Sequence, residues 1–176
     1  MVTSFHFPVI LSFNPRRNHL FYLALLWIAG LLSGSLVVIG GGNGFLSWMR
    51  AAELDRVSII SLFFSLFLPF LFSAFAVLIS KPQLIYFVYF AKAFLFGFCA
   101  GGIMMAYSSA GWLVCLLLFF AQWCMSPVLF WFCSRCLRGG QTDLWRDLAV
   151  CAALCFLLGS ADRCMVSPFL AMLIEI

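Results

Sequence analysis

The sequence predicts an all-α membrane protein, a polytopic bundle of about five transmembrane helices. Of its 176 residues, 65% are hydrophobic and only 9% are charged, whereas charged residues make up about a quarter of a typical soluble domain. Its apolar stretches reach the length of about 20 residues that crosses a bilayer as a helix. They also lack the short alternating segments of a membrane β-barrel. We therefore expect one integral membrane domain over residues 1–176.

The first predicted span covers residues 20–39 and follows Arg16 and Arg17. It is longer than the apolar core of a secretory signal and has no small-residue cleavage site after it, which favours a retained span. Within it, Gly30 and Gly34 share one helical face, and such small residues let a second helix approach closely. The glycine-rich string at 40–44 is interpreted as a turn that leaves the membrane.

The second and third predicted spans, 57–80 and 84–107, form an antiparallel hairpin because a very short turn at Lys81 and Pro82 joins them. Pro69 falls in the middle of the second span and is expected to kink it. The third span contains Lys92, followed by Gly97 and Gly101 on one helical face. These glycines are predicted to serve helix packing or contact with a partner helix.

The fourth predicted span is 111–132, with Gln122 inside it and Pro127 as a second expected kink. The polar stretch 135–147 is expected to be a cytoplasmic loop. The last apolar region, 148–172, contains Asp162 and Arg163 and a third expected kink at Pro168. Two arrangements stay open there: one long span with buried charges, or a helix that ends at the charges and a re-entrant tail.

The distribution of cations predicts the orientation. With five spans and a cytoplasmic N-terminus, six Lys and Arg residues fall on the cytoplasmic side and two, Arg50 and Arg56, on the other. This bias matches the positive-inside rule and favours that topology of a multi-pass protein, with the C-terminus outside. The six cytoplasmic cations are Arg16, Arg17, Lys81, Arg135, Arg138 and Arg146.

The sharpest candidate for function is an intramembrane charge group of Lys92, Asp162 and Arg163. A charge at bilayer depth costs about 2.5–3.5 kcal/mol on insertion scales, so opposite charges tend to pair there. We favour a structural lock between the third and fifth spans over an ion or proton relay, because one pair makes a poor pathway.

No residue pattern indicates a catalytic site, a cofactor or a metal. Cys133 and Cys136 form a C-x-x-C that a redox site or half of a zinc site would use, but no second pair or nearby histidine completes it. The cations are dispersed at helix ends instead of clustered on one face, which argues against binding of nucleic acid. Membrane lipid and other membrane proteins are the expected partners, and a homo-oligomer is compatible with the sequence.

The central stretch resembles stage II sporulation protein M and its relatives, small bacterial proteins of about five membrane helices. The resemblance lies in a lysine that precedes a glycine- and phenylalanine-rich segment, and it extends through Gly111 and Pro127 to an acid-then-proline pattern at Asp162 and Pro168. Ala93 departs from the family pattern, which has glycine after the lysine. The matching residues of the central segment are Lys92, Phe94, Gly97, Phe98 and Gly101.

This resemblance implies a non-enzymatic scaffold in the bacterial plasma membrane that anchors a septal complex during endospore engulfment. The implied partners are peptidoglycan hydrolases, and the implied location is the sporulation septum. It also implies that Phe98 belongs to the packing or partner face of the third span. The alternative from a different class is a small transporter or channel component that uses Lys92 and Asp162.

Overall fold

The computed structural model describes residues 18–51, 59–107, 111–138 and 143–166. These residues contain no β-strand, which confirms the predicted all-α class. Within the described ranges the chain forms six α-helices: α1 (His19–Ala51), α2 (Ile59–Leu78), α3 (Gln83–Tyr107), α4 (Gly111–Leu118), α5 (Phe120–Leu137) and α6 (Leu144–Ala161). A π-helical turn (Asp162–Val166) continues α6.

Three described helical segments are long and apolar enough to cross a membrane: His19–Gly41, Gln83–Tyr107 and Leu144–Cys164. α4 and α5 together also pass this test, with a bend of 61° between them, which makes up to four. Leu62–Leu78 is a shorter apolar helix. The chain is therefore an all-helical protein with the features of a multi-pass membrane protein.

α1 and α3 run parallel to each other and form the closest helix pair. The side chains of His19 and Tyr86 hydrogen-bond near the start of both helices. Further along, Gly30 lies against the backbone of α3 at Phe90, and Gly101 lies against Ser35 of α1. Because the contacts advance in the same direction on both helices, the intervening helix α2 runs antiparallel to α1 and α3.

α2 and α5 also run parallel to each other, and α6 runs opposite to both. Ser65 of α2 contacts Gln122 near the start of α5, and Phe70 packs edge-to-face on Phe132 further along, with ring centroids 5.5 Å apart. The start of α6 meets the end of α5, where Arg135 pairs with Asp143. The five apolar segments therefore alternate in direction.

The main core fills the space where these helices meet. Phe70 and Phe132 are its largest fully buried side chains, and the thiols of Cys133, Cys151 and Cys155 are fully buried beside them. In such surroundings cysteine acts as a small apolar residue. The buried hydroxyl of Ser73 donates to the Pro69 carbonyl oxygen at 2.8 Å, so even this polar group is satisfied.

The structure corrects two boundaries. The predicted turn at 40–44 is wrong, because α1 continues as one helix through the glycines to Ala51. The predicted fourth span is two helices, α4 and α5, and the chain bends by 61° between them at Phe119. α2 and α5 each continue through their proline, and Pro168 lies outside the described residues.

Candidate functional site

Four side chains from three helices form a polar cluster in the apolar part of the bundle. Its members are Lys92 of α3, Ser65 of α2, and Gln122 and Ser126 of α5. The Lys92 ammonium donates to the Ser65 carbonyl oxygen at 3.3 Å, and Gln122 Nε2 donates to Ser65 Oγ at 3.4 Å. Ser126 Oγ donates to the Gln122 carbonyl oxygen at 2.9 Å. We call these four residues the polar cluster.

The sequence of α2 explains why Lys92 finds an acceptor there. Pro69 stands four residues after Ser65 and has no backbone N–H, so the helix itself cannot satisfy the Ser65 carbonyl. An unsatisfied carbonyl in hydrocarbon is costly, and proline-containing membrane helices recruit neighbouring groups to satisfy it. The ammonium of Lys92 supplies that donor from the adjacent helix.

A small cavity adjoins the polar cluster. Its volume is about 10 Å³, and Lys92, Gln122 and Ser126 line it together with apolar side chains of α1, α2 and α5. Gln122 Oε1 is buried and accepts no hydrogen bond from the described residues. A void of this size accommodates about one water molecule. The cluster therefore combines a charged donor, an open acceptor and room for a small polar group.

The predicted pairing of Lys92 with Asp162 is not formed. The two side chains form no ion pair within the described residues, where every ion pair lies at the α5–α6 junction. On α6, Lys92 lies close enough to Cys155 for the two groups to interact electrostatically. Asp162 is seven residues further on, about 10 Å along a helix. The predicted charge group is thus divided between two levels of the bundle.

Asp162 instead lies beside the bend between α4 and α5. Its carboxylate interacts with the backbone N–H of Ala121 in the first turn of α5, while its Oδ1 is buried without a hydrogen-bond partner in the described part of the chain. A carboxylate near a helix N-terminus complements the positive end of the helix dipole. Arg163 follows it in the π-helical turn, half-buried.

The predicted glycine faces contact each other within the chain. A Cβ added at Gly30 would lie 2.7 Å from Ala93 Cβ, and one added at Gly34 would collide with the backbone of α3 at Phe94 and Phe98. A Cβ added at Gly97 would collide with the backbone of α1 at Leu31. The glycines therefore serve packing of α1 on α3, and their bare backbone does not face a neighbouring protein.

Phe98 belongs to a row of rings along α3. Its ring lies 6.4 Å from that of Phe94, nearly parallel to it, and Phe94 lies at the same distance from Phe90. The spacing of four residues places the three rings on one helical face. Gly34 contacts the backbone of two of these residues, Phe94 and Phe98.

An ion-pair network at the α5–α6 junction was not predicted from the sequence. Arg135 donates to Asp143 at 2.9 Å and to the nearly buried Asp147 at 2.8 Å, and Arg146 contacts the same two carboxylates. One signal was available, because Asp143, directly before α6, and Asp147 in its first turn are four residues apart and share a helical face. The spacing did not predict their partner Arg135, because that contact depends on how the connection between α5 and α6 folds.

The C-x-x-C pair is part of the core. Cys133 is fully buried, and its Sγ lies 3.6 Å from the hydroxyl of Ser73. Cys136 is also buried. In the described ranges no three Cys, His, Asp or Glu side chains come together as a metal site.

The helices and the polar cluster define an all-helical membrane protein with a charged group inside its apolar layer. Comparisons with protein-family models, curated proteins and solved structures find no significant match.

A double-mutant cycle tests the link between Lys92 and Pro69. We expect Lys92→Met to lower the free energy of unfolding by about 1 kcal/mol less in a Pro69→Ala background than in the wild type. The alanine restores a backbone N–H that satisfies the Ser65 carbonyl oxygen, which otherwise depends on Lys92. The cost of placing the ammonium in an apolar layer is the same in both backgrounds and cancels. Unfolding in mixed micelles measures the four free energies, and strictly additive effects would contradict the link.

Proposed function

We propose that this protein is a non-enzymatic membrane scaffold that recruits a membrane-spanning partner through its polar cluster. One observation carries the proposal: Lys92 is half-buried inside the apolar segment Gln83–Tyr107 and has no carboxylate partner among the described residues. Its single hydrogen bond is to a neutral carbonyl oxygen at 3.3 Å. An ammonium has three donors, so this contact leaves donor capacity free.

The chemistry of Lys92 defines the partner. An intramembrane cation without a counter-charge is expensive, and an Asp or Glu in a second transmembrane helix would complement it. Ser65, beside it on α2, is exposed and offers a further hydroxyl for hydrogen bonding between helices. The partner helix we propose therefore carries a carboxylate near its centre and packs along α2 and α3.

Two features support five crossings with a cytoplasmic N-terminus. The five apolar segments alternate in direction, as successive crossings must. The start of α1, the turn between α2 and α3 and the junction of α5 with α6 share one end of the bundle, where Lys81, Arg135, Arg138 and Arg146 lie. An excess of cations at one end is typical of the cytoplasmic side.

The resemblance to stage II sporulation protein M gives the proposal a biological setting. In that setting the scaffold acts in a bacterial plasma membrane, at the sporulation septum, and its partners are peptidoglycan hydrolases or their membrane anchors. The motif around Lys92, Gly97 and Gly101 supports it. We propose this role as the particular form of the scaffold function.

Capture of partners from native membranes tests the scaffold. We expect Lys92→Met to reduce co-purification of the partner at least tenfold, since removing one member of a buried charge pair costs about 3–5 kcal/mol. Lys81→Met is the matched control, because Lys81 is an exposed cation in the turn before α3. Equal capture by wild type and Lys92→Met, with both variants inserted and folded, would refute recruitment through Lys92.

A second candidate function is transport of a proton or small ion. It is favoured by the bend of 61° between α4 and α5, with the Asp162 carboxylate against the first turn of α5, because broken helices commonly form ion sites in transporters. It predicts a flux in liposomes that Asp162→Asn abolishes and Lys81→Met preserves. No flux above empty liposomes under a proton or cation gradient would eliminate this candidate.

A further inference from the structure

A second cavity lies between the first turn of α1 and the last turns of α5. Its volume is about 460 Å³, and it is open to the surroundings of the bundle. It lies at the end of the bundle that carries Lys81 and the ion-pair network. Its lining consists of Leu20, Phe130, Trp131, Ser134, Arg135 and Arg138.

Arg135 is held in place at the rim of this cavity. Its guanidinium pairs with Asp143 and Asp147, and it also lies 5.5 Å from the centre of the Trp131 ring. Such a cation–π contact together with two ion pairs fixes the planar group in one orientation. The two carboxylates offset its charge, so Arg135 alone does not make the cavity strongly cationic.

Arg138 provides the uncompensated charge. Its side chain is exposed and forms no ion pair within the described ranges, although it lies one turn from Arg135. A guanidinium binds phosphate through two parallel N–H···O bonds, which makes arginine the usual phosphate ligand. The cavity therefore offers an anion one available guanidinium.

The rest of the lining is apolar except for Ser134, whose hydroxyl donates to the Trp131 carbonyl oxygen at 2.8 Å. Leu20 and Phe130 come from α1 and α5, and Trp131 is 44% exposed. Tryptophan side chains are enriched where membrane helices meet lipid headgroups. A free phosphate ion would gain nothing from these walls, whereas a lipid acyl chain would cover them. Basic pockets between membrane helices on the cytoplasmic side are a known type of headgroup site.

We propose that this cavity binds an anionic phospholipid, with its phosphate on Arg138 and the start of an acyl chain along Leu20 and Phe130. The ligand class follows from the pairing of one available guanidinium with an apolar wall. This site is independent of the polar cluster at Lys92 and of the scaffold function.

The experiment measures lipid binding to the full chain in detergent by native mass spectrometry. Phosphatidylglycerol is compared with phosphatidylcholine of the same chain length, and inorganic phosphate is added as a competitor. We expect tighter binding of phosphatidylglycerol and a loss of roughly tenfold in Arg138→Gln, the effect of one charge-assisted contact. Leu20→Trp narrows the cavity without a change of charge and should also weaken binding.

Lys81→Gln is the control, since it removes one exposed cation at the same end without touching the cavity. Far-UV circular dichroism shows that each variant keeps its helices. Equal affinity for both lipids, or unchanged binding in Arg138→Gln, would overturn the proposal. Displacement of the lipid by millimolar inorganic phosphate would also overturn it, because it would identify a site for free anions.

Discussion

Gly34→Ala is expected to lower the free energy of unfolding by about 3 kcal/mol, the upper part of the range for overpacking a tight contact. The added Cβ would collide with the Phe94 carbonyl oxygen and lie 2.7 Å from the Phe98 backbone nitrogen. Backbone atoms cannot turn aside as a side chain can, so α1 and α3 must separate along their interface. Unfolding in mixed micelles, followed by circular dichroism, measures the loss.

The other glycines supply a graded series with an internal control. Gly97→Ala should behave like Gly34→Ala, because its Cβ would lie 2.8 Å from Leu31 Cα. Gly101→Ala should cost less, since its nearest neighbour, Ser35 Cα, would be 3.2 Å away. Gly40→Ala, on the same helix as Gly34 but with nothing within 4 Å of the added Cβ, should be neutral or stabilising. Equal effects at Gly34 and Gly40 would contradict close packing of α1 on α3.

This series also separates two explanations of lost partner binding. Gly34→Ala would weaken binding by loosening the bundle, and its unfolding free energy would fall at the same time. Lys92→Met removes a group whose only hydrogen bond is to Ser65, so partner binding should fall much more than stability. Comparing stability with capture for both variants therefore locates the partner surface.

Arg135→Met is expected to lower the free energy of unfolding by about 2 kcal/mol. The change removes the short contacts of Arg135 to Asp143 and Asp147, at 2.9 and 2.8 Å. The Asp147 side chain is only 8% exposed, and its remaining contact to Arg146 is 3.9 Å long. A nearly buried carboxylate would thus lose its main counter-charge. The measurement is again unfolding in mixed micelles, at neutral pH and low salt.

Arg146→Met is the matched control, because the Arg146 side chain is 67% exposed and exposed pairs are worth about 0–1 kcal/mol. Arg135→Met combined with Asp147→Leu should recover part of the loss, since it removes the uncompensated charge as well. Comparable losses in Arg135→Met and Arg146→Met would show that the network is not organised around Asp147.

The sequence determined the class of this protein and much of its local structure. Long apolar stretches must bury their backbone hydrogen bonds inside helices, so composition and length were enough to predict an all-α membrane protein. The glycines of α1 and α3 were recognisable from their spacing, because a period of four residues defines one helical face. Periodicity did not show that these faces meet each other instead of a partner.

Only the tertiary structure decided which polar groups meet. The sequence contained both Lys92 and Asp162, but their pairing depends on how α3 and α6 are displaced relative to each other along their axes. Helix packing sets this displacement, and the local sequence pattern does not. Packing of α2 on α3 places Lys92 beside the carbonyl freed by Pro69, whereas Asp162 lies in the turn after α6, about 10 Å along that helix from Cys155. The cavity at Arg138 has the same origin, since α1 and α5 are distant in sequence and meet only because the bundle brings their ends together.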